Sequence, residues 1–67
     1  MADSDFHIAD HGSIILFQPL SDEAQAWIDD NVAGEPQWWA GALVVERRYA
    51  ADLLTGIRTA GLHAVVL

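Results

Sequence analysis

Ile14, Ile15, Leu16 and Phe17 follow one another without a polar residue between them, with Gly12 just before the run and Pro19 just after it. Neighbouring side chains on a strand point to opposite faces, so this run is apolar on both faces of any sheet that contains it. The pattern returns in the apolar run from Trp38 to Val45. A fold for this chain must therefore cover two apolar sheet faces. Its helices can cover only one.

The helical segments are short and easily read. Ala24, Trp27, Ile28 and Val32 form one apolar stripe. Ser21 is placed to cap that helix, Asp22 and Glu23 suit the positive end of its dipole, and Gly34 suits its end. The helix is expected from about Asp22 to Ala33. Ala50, Leu53, Leu54 and Ile57 mark the buried side of a second helix, Arg47 to Ala60, ended by Gly61. Phe6 to Ala9 and Ser13 to Phe17 read as a hairpin about Asp10-His11-Gly12, closed by Pro19. After a loop at Glu35-Pro36-Gln37, Trp38 to Val45 reads as one central strand, and His63 to Leu67 as a last strand or tail.

The expected fold is α/β (α+β): a small two-layer sandwich, β-β-α-β-α-β. It has a mixed four-stranded sheet, parallel pairing through right-handed crossovers and both helices on one face. The second face is left bare. The 67 residues make a single domain, 1–67. A core this small supplies only a few kcal/mol, and there is no cysteine to staple it. Burial against another chain, in a homodimer or with a tight hetero-partner, is the simplest remedy.

Composition narrows function further. With 52% apolar and 19% charged residues, intrinsic disorder is excluded. Ten acids against three arginines, with no lysine, give a net charge of −7, so direct nucleic-acid binding is not expected. Anionic lipid would repel the chain, no apolar run approaches the roughly 20 residues of a membrane span, and the N-terminus lacks a signal-peptide pattern. The expected location is the cytoplasm.

Asp10-His11-Gly12-Ser13 resembles scattered triad members, but near-adjacent residues on a tight turn cannot converge as a triad does. His7, His11 and Asp10 lack a spaced metal motif, and His63 stands alone. No catalytic residue, metal or cofactor is expected. Glu46, Arg47, Arg48 and Tyr49, with Asp52, form the densest polar cluster, where a strand end meets a helix start. An anion can sit there, or the groups can simply pair, Arg48 with Asp52 and Glu46 with an arginine. Trp38 and Trp39 must face opposite sides of their strand. One is expected in the core beside Trp27 and the other in an interface, unless the strand begins later and both pack as loop over the core. Asp22 with Asp29, and Glu23 with Asp30, line two edges of the first helix as a ladder of negative charge, suited to solubility or to a basic protein partner.

Asp10-His11-Gly12-Ser13, Ala26-Trp27, Trp38-Trp39, Ala42 to Tyr49 and Gly61-Leu62 together resemble a family of short bacterial and bacteriophage proteins with no assigned function, over about residues 8 to 62. The resemblance implies a role in host takeover or defence evasion and transfers no site residue. The expected function is a non-enzymatic interaction module. It would be a phage or mobile-element inhibitor of a basic, nucleic-acid-binding host protein, in the manner of anti-CRISPR, anti-restriction or antitoxin proteins. The alternative is a dimer that binds a small molecule or anion, as a minimal enzyme, at Glu46 to Tyr49.

Overall fold

Turn chemistry sets the frame of the computed structural model, which describes residues 4–32 and 34–67. β1 (Phe6–His11) and β2 (Ile14–Pro19) pair antiparallel, with Phe6 opposite Pro19 and His11 opposite Ile14. The loop is therefore Gly12–Ser13, and Asp10 and His11 belong to the strand rather than to the turn. Gly12 has φ +83° and Ser13 keeps a negative φ, the pattern of a type II′ turn. The Asp10 carboxylate accepts from the Gly12 amide at 2.9 Å and stiffens it.

α1 (Asp22–Asn31) starts as its sequence implies: the Ser21 hydroxyl accepts from the Ala24 amide at 3.1 Å. It ends earlier than expected, with Val32 as its C-cap in extended conformation; the expected last residue, Ala33, lies outside the described residues. α2 (Arg47–Thr59) closes on a Schellman motif. The Leu62 amide donates to the Ile57 carbonyl, the Gly61 amide to the Arg58 carbonyl, and Gly61 takes φ +82°.

The principal correction concerns residues 37–46. Trp38 to Val45 is not one strand but a hairpin, β3 (Gln37–Trp39) and β4 (Ala42–Glu46), with Trp38 opposite Leu43 and Trp39 opposite Ala42. Ala40 at φ +52° and Gly41 at φ +80° give the two left-handed residues of a type I′ turn. Alanine conceals the turn, because asparagine or glycine normally holds that first position. With β5 (Ala64–Val66) the sheet has five strands, in the order β3-β4-β2-β1-β5. The two strands joined by each helix do not pair with one another. β3 lies antiparallel against β4, and β5 pairs in parallel with β1. The result is a small α+β fold with a mixed sheet and two helices.

Ala40 also supports a test. A left-handed alanine costs about 1–2 kcal/mol relative to its relaxed backbone, and the side chain is exposed. Ala40→Asn should raise the melting temperature by about 4–8 °C, the shift that 1 kcal/mol produces in a domain this small. An unchanged or lower Tm would mean that the turn is not of this type.

Strand register sorts the side chains without ambiguity. Phe6, Ile8, Ile15, Phe17 and Leu43 fall on one face and join Ala24 and Ile28 of α1 and Ile57 of α2 in one buried cluster. Trp27, Val32, Leu53 and Leu54 pack around it, partly exposed. His7, Ala9, His11, Ile14, Leu16, Trp39, Ala42 and Val44 fall on the other face, which carries no helix.

Candidate functional site

The fold leaves one sheet face without a helix. Its centre is Leu16, flanked by Ala9 on β1 and Val44 on β4. Leu16 and Ala42 are nevertheless only 7% and 6% exposed. Cover comes from Trp39. The small Ala42 side chain opposite leaves the indole room to lie inward, and its ring meets His11 edge-on at 6.5 Å, on the far side of β4 and β2. Trp39 thus forms a ridge across the sheet, itself 62% exposed. On one side of the ridge lies a groove of about 580 Å³ with Ile14, Leu16 and Val44 at its base and His11 and Gln37 at its rim. On the other lies a smaller hollow of about 190 Å³ bounded by Trp39 and Leu67, with Ala9, Leu16 and Ala42 beneath.

Trp38 and Trp39 do face opposite ways, as adjacent strand residues must. Trp38 does not enter the core beside Trp27, however. It sits on the edge strand of the sheet and is 42% exposed. Trp27 instead meets Phe6 edge-on at 6.4 Å and lies against Gly56 of α2.

The Glu46–Tyr49 cluster is assembled, but each of its two cations has an internal partner. The Arg47 guanidinium pairs with the Asp10 carboxylate, and its Nε donates to the Gly12 carbonyl at 2.6 Å. The Arg47 backbone amide donates to the Ser13 carbonyl at 3.1 Å. Arg47 therefore clamps the first hairpin to the start of α2. Arg48 pairs with Glu46 at 3.2 Å and lies over the Tyr49 ring at 4.9 Å; it does not pair with Asp52. Glu46 and Tyr49 line a depression of about 570 Å³ together with Glu35, and neither arginine reaches its lining.

Asp22, Glu23, Asp29 and Asp30 are all exposed on α1. Among the described residues, none of them forms an ion pair with an arginine. They lie in the helix layer, on the opposite side of the sheet from Trp39.

Asp5 was not singled out by its sequence context and proves to be a structural tie. Its carboxylate accepts from the Ser21 hydroxyl at 2.7 Å and from the His63 amide at 2.8 Å, joining the α1 cap to the approach of β5. The only signal was an acid placed just before the first strand, which many surface residues share. The His63 amide, and then the Ser21 hydroxyl, hold the Asp5 carboxyl below its ordinary value. Arg47, and then the Gly12 amide, do the same for Asp10. Both carboxyls are depressed in the fold, so their contribution is complete above the ordinary carboxylate value of about 4 and is lost as pH falls through the folded values. The urea midpoint should fall as pH drops below about 4. In Asp5→Asn the neutral-pH midpoint should already be lower and the acid decline shallower. An unchanged decline would remove Asp5 from this role.

Among the described residues, no group of three or more His, Asp or Glu side chains can hold a metal ion, and no helix is long and apolar enough to cross a membrane. Comparison of the chain with protein-family models, with curated proteins and with solved structures finds no match.

Proposed function

We propose that this chain is a small, acidic, non-enzymatic protein-interaction module that binds a basic protein through the carboxylates of α1. The observation that carries the reading is the segregation of its surface. Acids of α1 that make no ion pair among the described residues occupy one side of the helix layer, the arginines lie on α2, and the opposite sheet face is mostly apolar. Among the described residues, Asp22, Glu23, Asp29 and Asp30 make no ion pair that would explain them as internal struts. A field of like charge on one side of a small protein steers and orients a partner of opposite sign. The polar cluster at the start of α2 supports this reading over anion binding, because internal pairs occupy Arg47 and Arg48.

A nucleic-acid-binding protein is a fitting partner class, since its phosphate-gripping surface is basic. Inhibition of such a protein by a phage or mobile-element product accords with the −7 net charge and with the family resemblance. Affinity capture from lysate of a bacterial host, at rising salt, tests the reading. One specific basic partner should be retained at low salt and released as salt screens the contact. The variant Asp22→Asn/Glu23→Gln/Asp29→Asn/Asp30→Asn should not retain it. Equal capture by the neutralised variant, or no specific partner, counts against the proposal.

A further inference from the structure

We infer that the uncovered sheet face is the interface of a homodimer, in which the Trp39 ridge of each copy seats in the groove beside the Trp39 of the other. Three observations favour a second copy over any other occupant.

The first is charge. Among the described residues of the face, Glu46 at the end of β4 is the single acidic side chain, and His7, His11, Gln18 and Gln37 supply its polar rim. A basic partner finds there a single carboxylate, already paired with Arg48, whereas an identical, mostly apolar face is complementary to it. Face-to-face pairing also turns both α1 helices outward. The two acid layers are then separated by two sheets about 10 Å apart plus both helix layers, well beyond the ~8 Å Debye length at physiological salt. This arrangement lets a chain of net charge −7 self-associate with its acid layers held apart.

The second is shape. Trp39 is both a ridge and the wall of a groove of about 580 Å³. One two-fold axis therefore lets ridge and groove satisfy each other, as an isologous contact requires. Trp39 and Leu67, 62% and 73% exposed, would both be covered.

The third is area. Five strands spaced about 4.8 Å apart, with the longer ones about 20 Å in length, present roughly 400 Å² in projection. Their side-chain relief brings two such faces to the ~1,000 Å² that a specific interface needs. On a monomer, an apolar face of that size is at the upper end of what remains in water.

The inference deepens the interaction-module reading by making it two-sided: a dimer would display an acid layer on each outer surface. The test is sedimentation velocity with static light scattering, on the full chain, across concentration and salt. The wild type should run at twice its 7.3 kDa chain mass, and its association should tighten with salt as repulsion is screened. Trp39→Asp should weaken the dimer by about 30-fold or more, the loss expected of an interface hot spot. Its far-UV circular dichroism should stay native, because the side chain is mostly exposed. The α1 variant neutralised at Asp22, Glu23, Asp29 and Asp30 should remain dimeric. A 7.3 kDa species at every concentration and salt overturns the inference. So does a folded Trp39→Asp variant that dimerises normally. The two readings fail separately: partner capture weakens with salt while the dimer tightens, and a monomer that still captures its basic partner through α1 removes only the dimer.

Discussion

Phe17→Ala should leave the chain largely unfolded at 25 °C. Phe17 is 1% exposed and sits on β2 between Ile8 of β1 and Leu43 of β4, beneath the two helices. No other side chain is placed to fill the space its ring would vacate, because both flanking strands are held in register by their ladders. Losing a buried phenylalanine costs about 3–5 kcal/mol, from lost transfer energy and the cavity together. The whole stability of a chain this long is roughly 3–10 kcal/mol. There is no disulfide to hold the remainder. Circular dichroism with urea titration at one protein concentration reads the effect directly. A cooperative transition within a few tenths molar of the wild-type midpoint would show that the centre of the core lies elsewhere.

Trp27→Ala should cost about 2–3 kcal/mol, less than the full penalty for a buried tryptophan, because the ring is only partly buried. Its work is at the seam between the helices and β1. One edge contacts the fully buried Phe6 ring, and the six-membered ring lies over Gly56 of α2. A Cβ added at Gly56 would fall 3.1 Å from Trp27 Cζ2, closer than side chains normally approach. Glycine inside a helix ordinarily costs about 1 kcal/mol relative to alanine; here it admits the indole. The two residues should therefore be coupled. Gly56→Ala should fail to stabilise the wild type, yet should stabilise a Trp27→Leu background by about 0.5–1 kcal/mol, the helix-propensity gain released from the clash. Equal effects in the two backgrounds would mean that the helices do not meet through this pair.

Much of the local structure was legible in the sequence because each signal was complete within a few residues. Ser21 capped α1, Gly61 closed α2, Gly12 turned the first hairpin, and the stripes of both helices found the core. The opposed parity of Ile14 and Leu16 against Ile15 and Phe17, and of Trp38 against Trp39, followed from strand geometry alone. The α1 acid ladder was equally plain, since helical spacing alone sets which residues share a face.

What the sequence could not decide depended on residues brought together from a distance. A type I′ turn at Ala40-Gly41 has no local signature when alanine takes the asparagine position. Tertiary pairing holds it, because β4 lies antiparallel to β2 and the chain must double back to add β3 at the edge. The clamp of Arg47 on Asp10 and Gly12 spans 37 residues, and the tie of Asp5 to His63 spans 58. Both convert what looked like free surface charge into internal pairs. The inward lie of Trp39 likewise follows from a small Ala42 across the hairpin and His11 two strands farther on. Periodicity reports which face a residue occupies, since that is a property of one element. Which charges are already paired, and which apolar face stays open, is decided only when separate elements share a sheet.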